Sequence, residues 1–278
     1  MRMETFTSKG IGYLNEDALI VHPTLPLYGV VDGVTSLHGF MNDLKQTGGY
    51  LASTTIARYF TQIHRLIPLQ EHISTANLLI RLHMQEAGID LSSKQNLWGA
   101  AVGIVTIEKN GISYAQTGDC MIFAVYENDN VRILTRPQVE VLEEHTLQKW
   151  REGIENGLLS HTELSLIIRD LIIQNRELQN EPHGYGVLNG EKQAIEYVEY
   201  GRINRAGVKH VVIITDGLFW PLANQEKRDW SRMVHKIIEM GLENYAKALT
   251  KLEGSDPECV KYPRFKTSDD KTGIILTL

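Results

Sequence analysis

The sequence predicts an α+β protein, with antiparallel β-sheets covered on their outer faces by helices. Three observations lead there. Apolar runs of strand length come in hairpin-like pairs more often than they alternate singly with helical stretches. The helical stretches also come in pairs, and each pair needs a sheet face to cover. The resulting order, β-β-α-α-β-β-β-β-α-α-β-β-α-α-β, disfavours a doubly wound parallel sheet. Short loops leave a barrel open as a topology, but the long helix pairs speak against it.

The elements follow in chain order. Ala18 to Val21 and Leu27 to Val31 flank a proline-containing turn and read as paired strands. From Gly49, the residues Leu51, Ile56, Phe60, Ile63 and Ile67 recur at helical spacing, and Pro68 is expected to end that helix. Ser74 is the expected N-cap of a second helix, with Leu78, Leu79, Leu82 and Ala87 on one face and Gly88 closing it. Gly99 to Ile107 and Ile112 to Thr117 form a hairpin across Lys109-Asn110-Gly111, whose Asn-Gly pair suits a tight turn. Met121 to Tyr126 and Val131 to Leu134 continue the antiparallel pattern across a polar turn.

Further on, Ser160-His161-Thr162-Glu163 is a capping box in front of the apolar face Leu164, Ile167, Ile168, Leu171 and Ile172. Strands return at Ala194 to Tyr200 and His210 to Thr215. Two helices lie between Trp230 and Lys251, and Gly273 to Leu278 closes the chain as a strand. The regions of Trp150 and Trp230 read as helix packing against the sheets, and Phe219-Trp220 as core or channel wall.

Composition narrows the functional classes. The chain has 278 residues, 42% hydrophobic and 22% charged, an ordinary globular balance, and no linker divides it. One domain over 1–278 is expected, large enough to bury a core without disulfides. Twenty-eight Lys and Arg against 34 Asp and Glu give a net charge of −6 with no basic tract, so nucleic acid is not an expected partner. Cys120 and Cys259 are the only cysteines, and neither sits in a CxxC, which excludes a zinc site of sulfur ligands and suits a reducing compartment. No apolar N-terminal region and no apolar run of about 18 residues occur, so neither a signal peptide nor a membrane span is expected. The expected location is the cytoplasm.

Five acidic positions share one relationship to the strands. Asp32, Asp119 and Asp216 follow strands, whereas Asp17 and the pair Asp269-Asp270 precede them. In an antiparallel sheet the end of one strand lies beside the start of its neighbour, so all of these acids can reach one rim. Carboxylates gathered there repel one another, and apart from protonation the usual relief is a hard divalent cation. All-oxygen ligation suits Mg²⁺, Mn²⁺ or Ca²⁺ rather than zinc. Each acid alone reads as an ordinary turn residue, and the weight lies in their joint order.

In that order the chain resembles the PPM, or type 2C, serine/threonine phosphatases over nearly its whole length. The resemblance is carried by Asn15-Glu16-Asp17-Ala18, Val30-Val31-Asp32-Gly33, Gly49-Tyr50-Leu51-Ala52-Ser53, Gly118-Asp119, Gly186-Val187-Leu188-Asn189-Gly190, Ile214-Thr215-Asp216-Gly217-Leu218 and Ser268-Asp269-Asp270-Lys271-Thr272. It implies a four-layer α/β/β/α sandwich of two antiparallel sheets, with two divalent cations, Mn²⁺ or Mg²⁺, in the channel between the sheets. By the same resemblance, Asp32 bridges both ions and the Gly33 carbonyl ligates one. Asp216 and Asp269 hold one ion, Asp17 supports the site directly or through water, and Asp119 marks a third, weaker position. Asp32 and Asp216 would act in catalysis through a water oriented for in-line attack on phosphorus. The implied activity is phosphomonoester hydrolysis. The implied substrate is a protein phosphorylated on serine or threonine, or a small phosphoester.

The sequence departs from the family pattern at three points. Gly12 stands where members carry a phosphate-gripping arginine. Lys9 and Arg2 lie nearby as substitutes, against the plainer reading of a solvated N-terminal strand. Val34 stands where many members carry a proton-donating histidine, and His38, four positions on, reads as an ordinary loop histidine. Met121, two residues after Asp119, replaces a basic residue. These losses leave open an alternative function as a catalytically weak phosphatase-like regulatory or binding module, although five retained acids cost stability unless used. A two-metal nuclease is disfavoured by the acidic charge. Gly184 to Gly190 looks like a phosphate cradle but lacks the strand before and helix after it that a dinucleotide site needs. His145, His161, His183 and His210 show no ligand spacing.

Overall fold

The structure is a computed structural model that describes every residue except Ser36, His38, Asn224 and Gln225. Strands β1 (Arg2–Ser8), β2 (Ala18–Val21) and β3 (Leu27–Val34) precede helices α1 (Gly48–Gln62) and α2 (Leu69–Glu86). Strands β4 (Gly99–Ile107), β5 (Gly111–Thr117), β6 (Met121–Tyr126) and β7 (Val131–Ile133) lead to helices α3 (Glu140–Glu155) and α4 (His161–Glu177). Strands β8 (Glu199–Asn204) and β9 (Val208–Ile214), helices α5 (Trp230–Met240) and α6 (Leu242–Gly254), and strand β10 (Lys271–Thr277) complete the chain.

The strands form two five-stranded sheets, ordered β1-β10-β9-β6-β7 and β2-β3-β4-β5-β8, with every pair antiparallel. Side chains alternate between strand faces, and this divides the core. Val30 of β3 meets Val105, Ile122, Ile213 and Leu276 between the sheets. Leu27 and Val31 face outward to Ile56, Phe60, Ile73 and Ile80 of α1 and α2. The outer face of the other sheet, through Phe123, Val212, Ile214 and Ile275, meets Val234, Ile237, Tyr245 and Leu249 of α5 and α6. The result is the four-layer α/β/β/α sandwich. It explains why all nine residues of β4 are buried and why β3 and β4 lack polar alternation: helices cover one face and the partner sheet the other.

Several sequence expectations hold to the residue. Strands Ala18–Val21, Gly99–Ile107 and Met121–Tyr126 are as read, and Ser160 caps α4 by accepting from the Glu163 amide at 3.3 Å. Gly88, at φ +70, lets Ile89 N donate to Met84 O at 2.9 Å and ends α2.

Others are corrected. β1 is missing from the order read from the sequence, where that segment figures only as a solvated strand near Lys9. α1 stops at Gln62, and Pro68 opens α2 rather than ending α1, because the first turn of a helix tolerates a missing N–H. Ser74 is therefore exposed within α2 and caps nothing. The buried stripe of α2 is Ile73, Ala76, Ile80 and Met84, whereas Leu78 and Leu82 are 53% and 42% exposed. Residues 194–200 are mostly a 3₁₀ turn, Lys192–Tyr197, and β8 begins only at Glu199. Finally, α3 and α4 cover neither sheet. Trp150, Leu164 and Ile168 build a separate small core with Cys259 and Phe265, and Trp150 Nε1 donates to Cys259 O at 3.0 Å. Trp230, as expected, stacks on Phe123 of β6.

Candidate functional site

Strand register gathers the acids. In one sheet Met121, Ile214 and Gly273 lie side by side across β6, β9 and β10. Asp119 sits just before β6, Asp216 just after β9 and Asp269 just before β10, all at the same edge. In the facing sheet Ala18 pairs with Val31, Asp32 with Ala101, and Val102 with Thr117. Asp17, Asp32 and Gly118-Asp119 thus reach the matching edge. A cavity of about 1170 Å³ opens there, lined by Asp32, Gly33, Asp119, Asp216 and Asp269, with α3 forming part of its wall. Asp17 lies behind this lining, buried, and accepts from the Thr215 hydroxyl at 2.9 Å.

The two Asp-Gly pairs are set by close backbone passage rather than by a turn. A Cβ on Gly33 would collide with the carbonyl oxygens of Glu16 and Gly49, and one on Gly217 would run into the carbonyl of Asp270. Asp270 does not face the cavity. Its carboxylate accepts from Gly10 N at 2.7 Å and Glu16 N at 2.6 Å, clasping the N-terminal segment to the start of β10. Glu16 in turn accepts from the hydroxyls of Thr35 (2.7 Å) and Thr47, tying the end of β3 to the start of α1.

The cavity acids are electrostatically unsatisfied. Burial first, then the neighbouring carboxylates, push Asp32 well above the usual range, with Asp17, Asp216, Asp119 and Asp269 all contributing. Asp119 is raised by burial and by Asp216 and Glu143, and Asp17 by burial and by Asp269 and Asp216 against bonds from Thr215 and Thr272. Asp216 is raised by burial and Asp269, and it lies in hydrogen-bonding contact with Asp32. Two carboxylates touch favourably only through a shared proton or a cation. Such a donor set, all hard oxygen and short of positive charge, fits a divalent cation of the Mg²⁺ or Mn²⁺ kind. The side chains do not yet converge into a cage: among the described residues, no three His, Cys, Asp or Glu groups stand close enough to hold an ion. Lys266, 2.7 Å from Asp269, supplies part of the missing positive charge.

The other candidates fall differently. Lys9 is exposed, bonds the Tyr13 carbonyl at 3.4 Å and does not line the cavity, and Arg2 lies exposed on β1. Val34 lines the cavity wall, and Met121 is buried against α5 and α6. His38 lies outside the described residues. Phe219 lines the cavity, edge-on to Trp230, in keeping with a wall. The glycine-rich segment is no phosphate cradle: Gly186 N donates to Gln138 Oε1 and Val187 N to Asn180 Oδ1.

Sequence reasoning missed Glu143, Arg176, Arg228 and Lys266, which also line the cavity. Glu143, at the first turn of α3, is pushed up to about 7 by burial and by Asp216. Arg228 lies over the rings of Phe219 and Trp230 and donates to Trp220 O at 2.8 Å. Lys266 was within reach of sequence reasoning, three residues before Asp269 in the same loop. The others come from elements whose placement no local pattern reveals.

Comparison with known proteins agrees with this geometry. The protein phosphatase 2C family model matches residues 10–253. No curated protein matches the chain by sequence. Among solved structures, the serine/threonine phosphatase PstP/Ppp of Mycobacterium tuberculosis superposes with a TM-score of 0.57 at 15% identity, covering 100% of this chain and 98% of its own. The catalytic domain of PstP in complex with two manganese ions gives 0.56 at 14%, covering 99% and 96%. Stp1, a serine/threonine phosphatase of Staphylococcus aureus, gives 0.55 at 13%, covering 99% and 94%. Identities this low speak for the fold alone. The family model speaks for descent, since it spans most of the chain and takes in four of the five strand-end aspartates: this protein belongs to the protein phosphatase 2C family.

Proposed function

We propose that the chain hydrolyses phosphoserine and phosphothreonine on protein substrates with the help of divalent cations. The observation that carries this is the convergence of aspartates from separate strand ends on one cavity. Asp32, the Gly33 carbonyl, Asp216 and Asp269 would hold two ions, Mn²⁺ or Mg²⁺, with Asp17 in support and Asp119 offering a third position. Bound there, such ions lower the pKa of a water and screen the phosphoryl oxygens. The protein's share is to orient. Asp32 sits at the centre, with four other aspartates raising its carboxyl, and Asp216 touches it from the facing sheet. The Thr215 hydroxyl fixes Asp17, and the Asp270 clasp fixes the loop that presents Asp269. The protein-phosphatase names of the structural neighbours support a phosphoprotein over a small phosphoester.

Residues 1–278 are read as one domain, a reading supported by the pairing of β1 with β10 across the whole chain length. No helix among the described residues is long and apolar enough to cross a membrane. A cytoplasmic location, without membrane or nucleic-acid partners, is part of the same proposal. Two free buried cysteines and an acidic cavity wall support it.

The test is turnover of p-nitrophenyl phosphate and of phosphoserine and phosphothreonine peptides with Mn²⁺ or Mg²⁺, with and without chelator. Turnover should vanish with chelator and fall at least about a thousandfold in Asp32→Ala. Turnover that survives chelation would end the metal mechanism. Tight Mn²⁺ binding without any turnover would favour the regulatory module.

A further inference from the structure

Cationic side chains on the cavity wall are Arg151, Arg176, Lys227, Arg228, Arg264 and Lys266. Most are already committed. Arg151 pairs with Glu144 at 2.7 Å, and Lys266 with Asp269 at 2.7 Å. Arg264 binds Asp256 at 3.0 Å together with the carbonyls of Tyr262 and Glu253. Arg228 is stacked on two rings and faces Glu143. Lys227 is exposed, so water serves its charge.

Arg176 differs from all of these. It extends from the last turn of α4 across to the end of β3, where Nη2 donates to Thr35 O at 3.0 Å. Thr35 is three residues beyond Asp32, just past β3, so the guanidinium reaches the strand end that carries Asp32 and Gly33. Among the described residues no carboxylate lies within ion-pair distance of it. Glu16, whose charge acts on Arg176, is turned to the hydroxyls of Thr35 and Thr47. A guanidinium has five N–H donors in a rigid planar fork, and among the described residues a single bond is used here. Arg176 is half-buried, and partial removal of a charge from water with no counter-ion in reach lowers its pKa. The fork matches two oxygens of a phosphoryl group.

We propose that Arg176 binds the phosphoryl oxygens of the substrate, supplying from α4 the grip that Gly12 cannot give. This rests on the phosphatase reading of the same cavity. It also gives the α3–α4 hairpin a role: the hairpin covers no sheet but carries one side of the phosphate site.

The test compares wild type with Arg176→Ala and Arg176→Lys, all loaded with Mn²⁺. Equilibrium dialysis of inorganic phosphate and the KM and kcat for p-nitrophenyl phosphate are measured, with Mn²⁺ affinity read by calorimetry. Arg176→Ala should weaken phosphate binding and raise KM about tenfold to a hundredfold, with Mn²⁺ affinity unchanged. Arg176→Lys should recover part of the loss, since it keeps the charge without the fork. Phosphate binding within about twofold of wild type in both variants overturns the proposal. So does a loss confined to phosphopeptides, which would place Arg176 on the peptide instead. If Arg176→Ala does not fold, Arg176→Lys decides by the same readouts. Should wild type bind Mn²⁺ but turn over nothing, the phosphatase reading fails while phosphate dialysis still decides the role of Arg176.

Discussion

Where β4 turns into β5, Glu108 accepts from the Ser113 hydroxyl at 2.8 Å and pairs with Arg202 at 3.1 Å, and those bonds hold its carboxyl below the usual range. Nearby, Asp129 in the β6–β7 turn sits 3.9 Å from Lys209. At the opposite end of the same strands, Asp32, Asp119 and Asp216 are half-buried in the cavity, set against one another and pushed upward. One end spends its acids on ordinary turn electrostatics in water, where each pair contributes little. The other gathers them where Lys266 balances only part of their charge. The strand framework is common to both ends, so the contrast locates the end at which stability is given up for chemistry.

The contrast can be broken at its strongest point. In chelator, Asp32→Asn removes the charge that four neighbours oppose. It should raise the unfolding free energy by about 1–2 kcal/mol, read from urea midpoints, while abolishing metal-dependent turnover. A loss of stability would mean that the carboxylate is satisfied by partners other than a cation.

Acidity should separate the two ends next. Glu143 holds its proton up to about 7 in the folded chain, against an ordinary value of 4.5. The folded state therefore binds that proton more tightly than the unfolded chain does. Its contribution is fully present below about 4.5 and lost as pH rises through about 7. Asp17, Asp32, Asp119 and Asp216 act in the same direction. Glu108 has the opposite sign, giving stability at neutral pH that is lost on acidification. Urea midpoints of the chelated protein should thus fall from about pH 5 to about pH 8, and excess Mn²⁺ should flatten or reverse the slope. An unchanged slope with Mn²⁺ would show that the ion is not held by these acids.

The smallest effect lies at the far end. Arg202→Ala removes an exposed pair and should change stability by less than about 1 kcal/mol, with turnover unchanged. A change in turnover would mean that the two rims are coupled through β5 and β8.

Much of this was legible in the sequence. β2, β4 and β6 are apolar runs bracketed by polar turns, and an aspartate flanking such a run lands at a sheet edge whatever the topology. The order of those acids then carried the family resemblance. The failures share a cause, which is competition settled by tertiary packing. α2 offers apolar residues around much of its circumference, so periodicity alone could not choose Ile73 and Ile80 over Leu78 and Leu82. Ala194 to Tyr200 has strand-like composition, yet it turns in 3₁₀ form before β8 pairs with β5. The α3–α4 hairpin reads from sequence as a sheet cover because its apolar stripe looks like any other. Its partners, Cys259 and Phe265, lie about a hundred residues further along. Glu143 and Arg176 ride on that hairpin, so their arrival at the cavity was hidden with it.

The Asp270 clasp and the β1–β10 ladder also set an order in time. Asp17 and Asp32 leave the ribosome long before Asp269, the carboxylate that fastens Gly10 and Glu16, and the strand that pairs with β1. A nascent chain therefore carries an incomplete rim of acids until β10 has emerged and paired with β1.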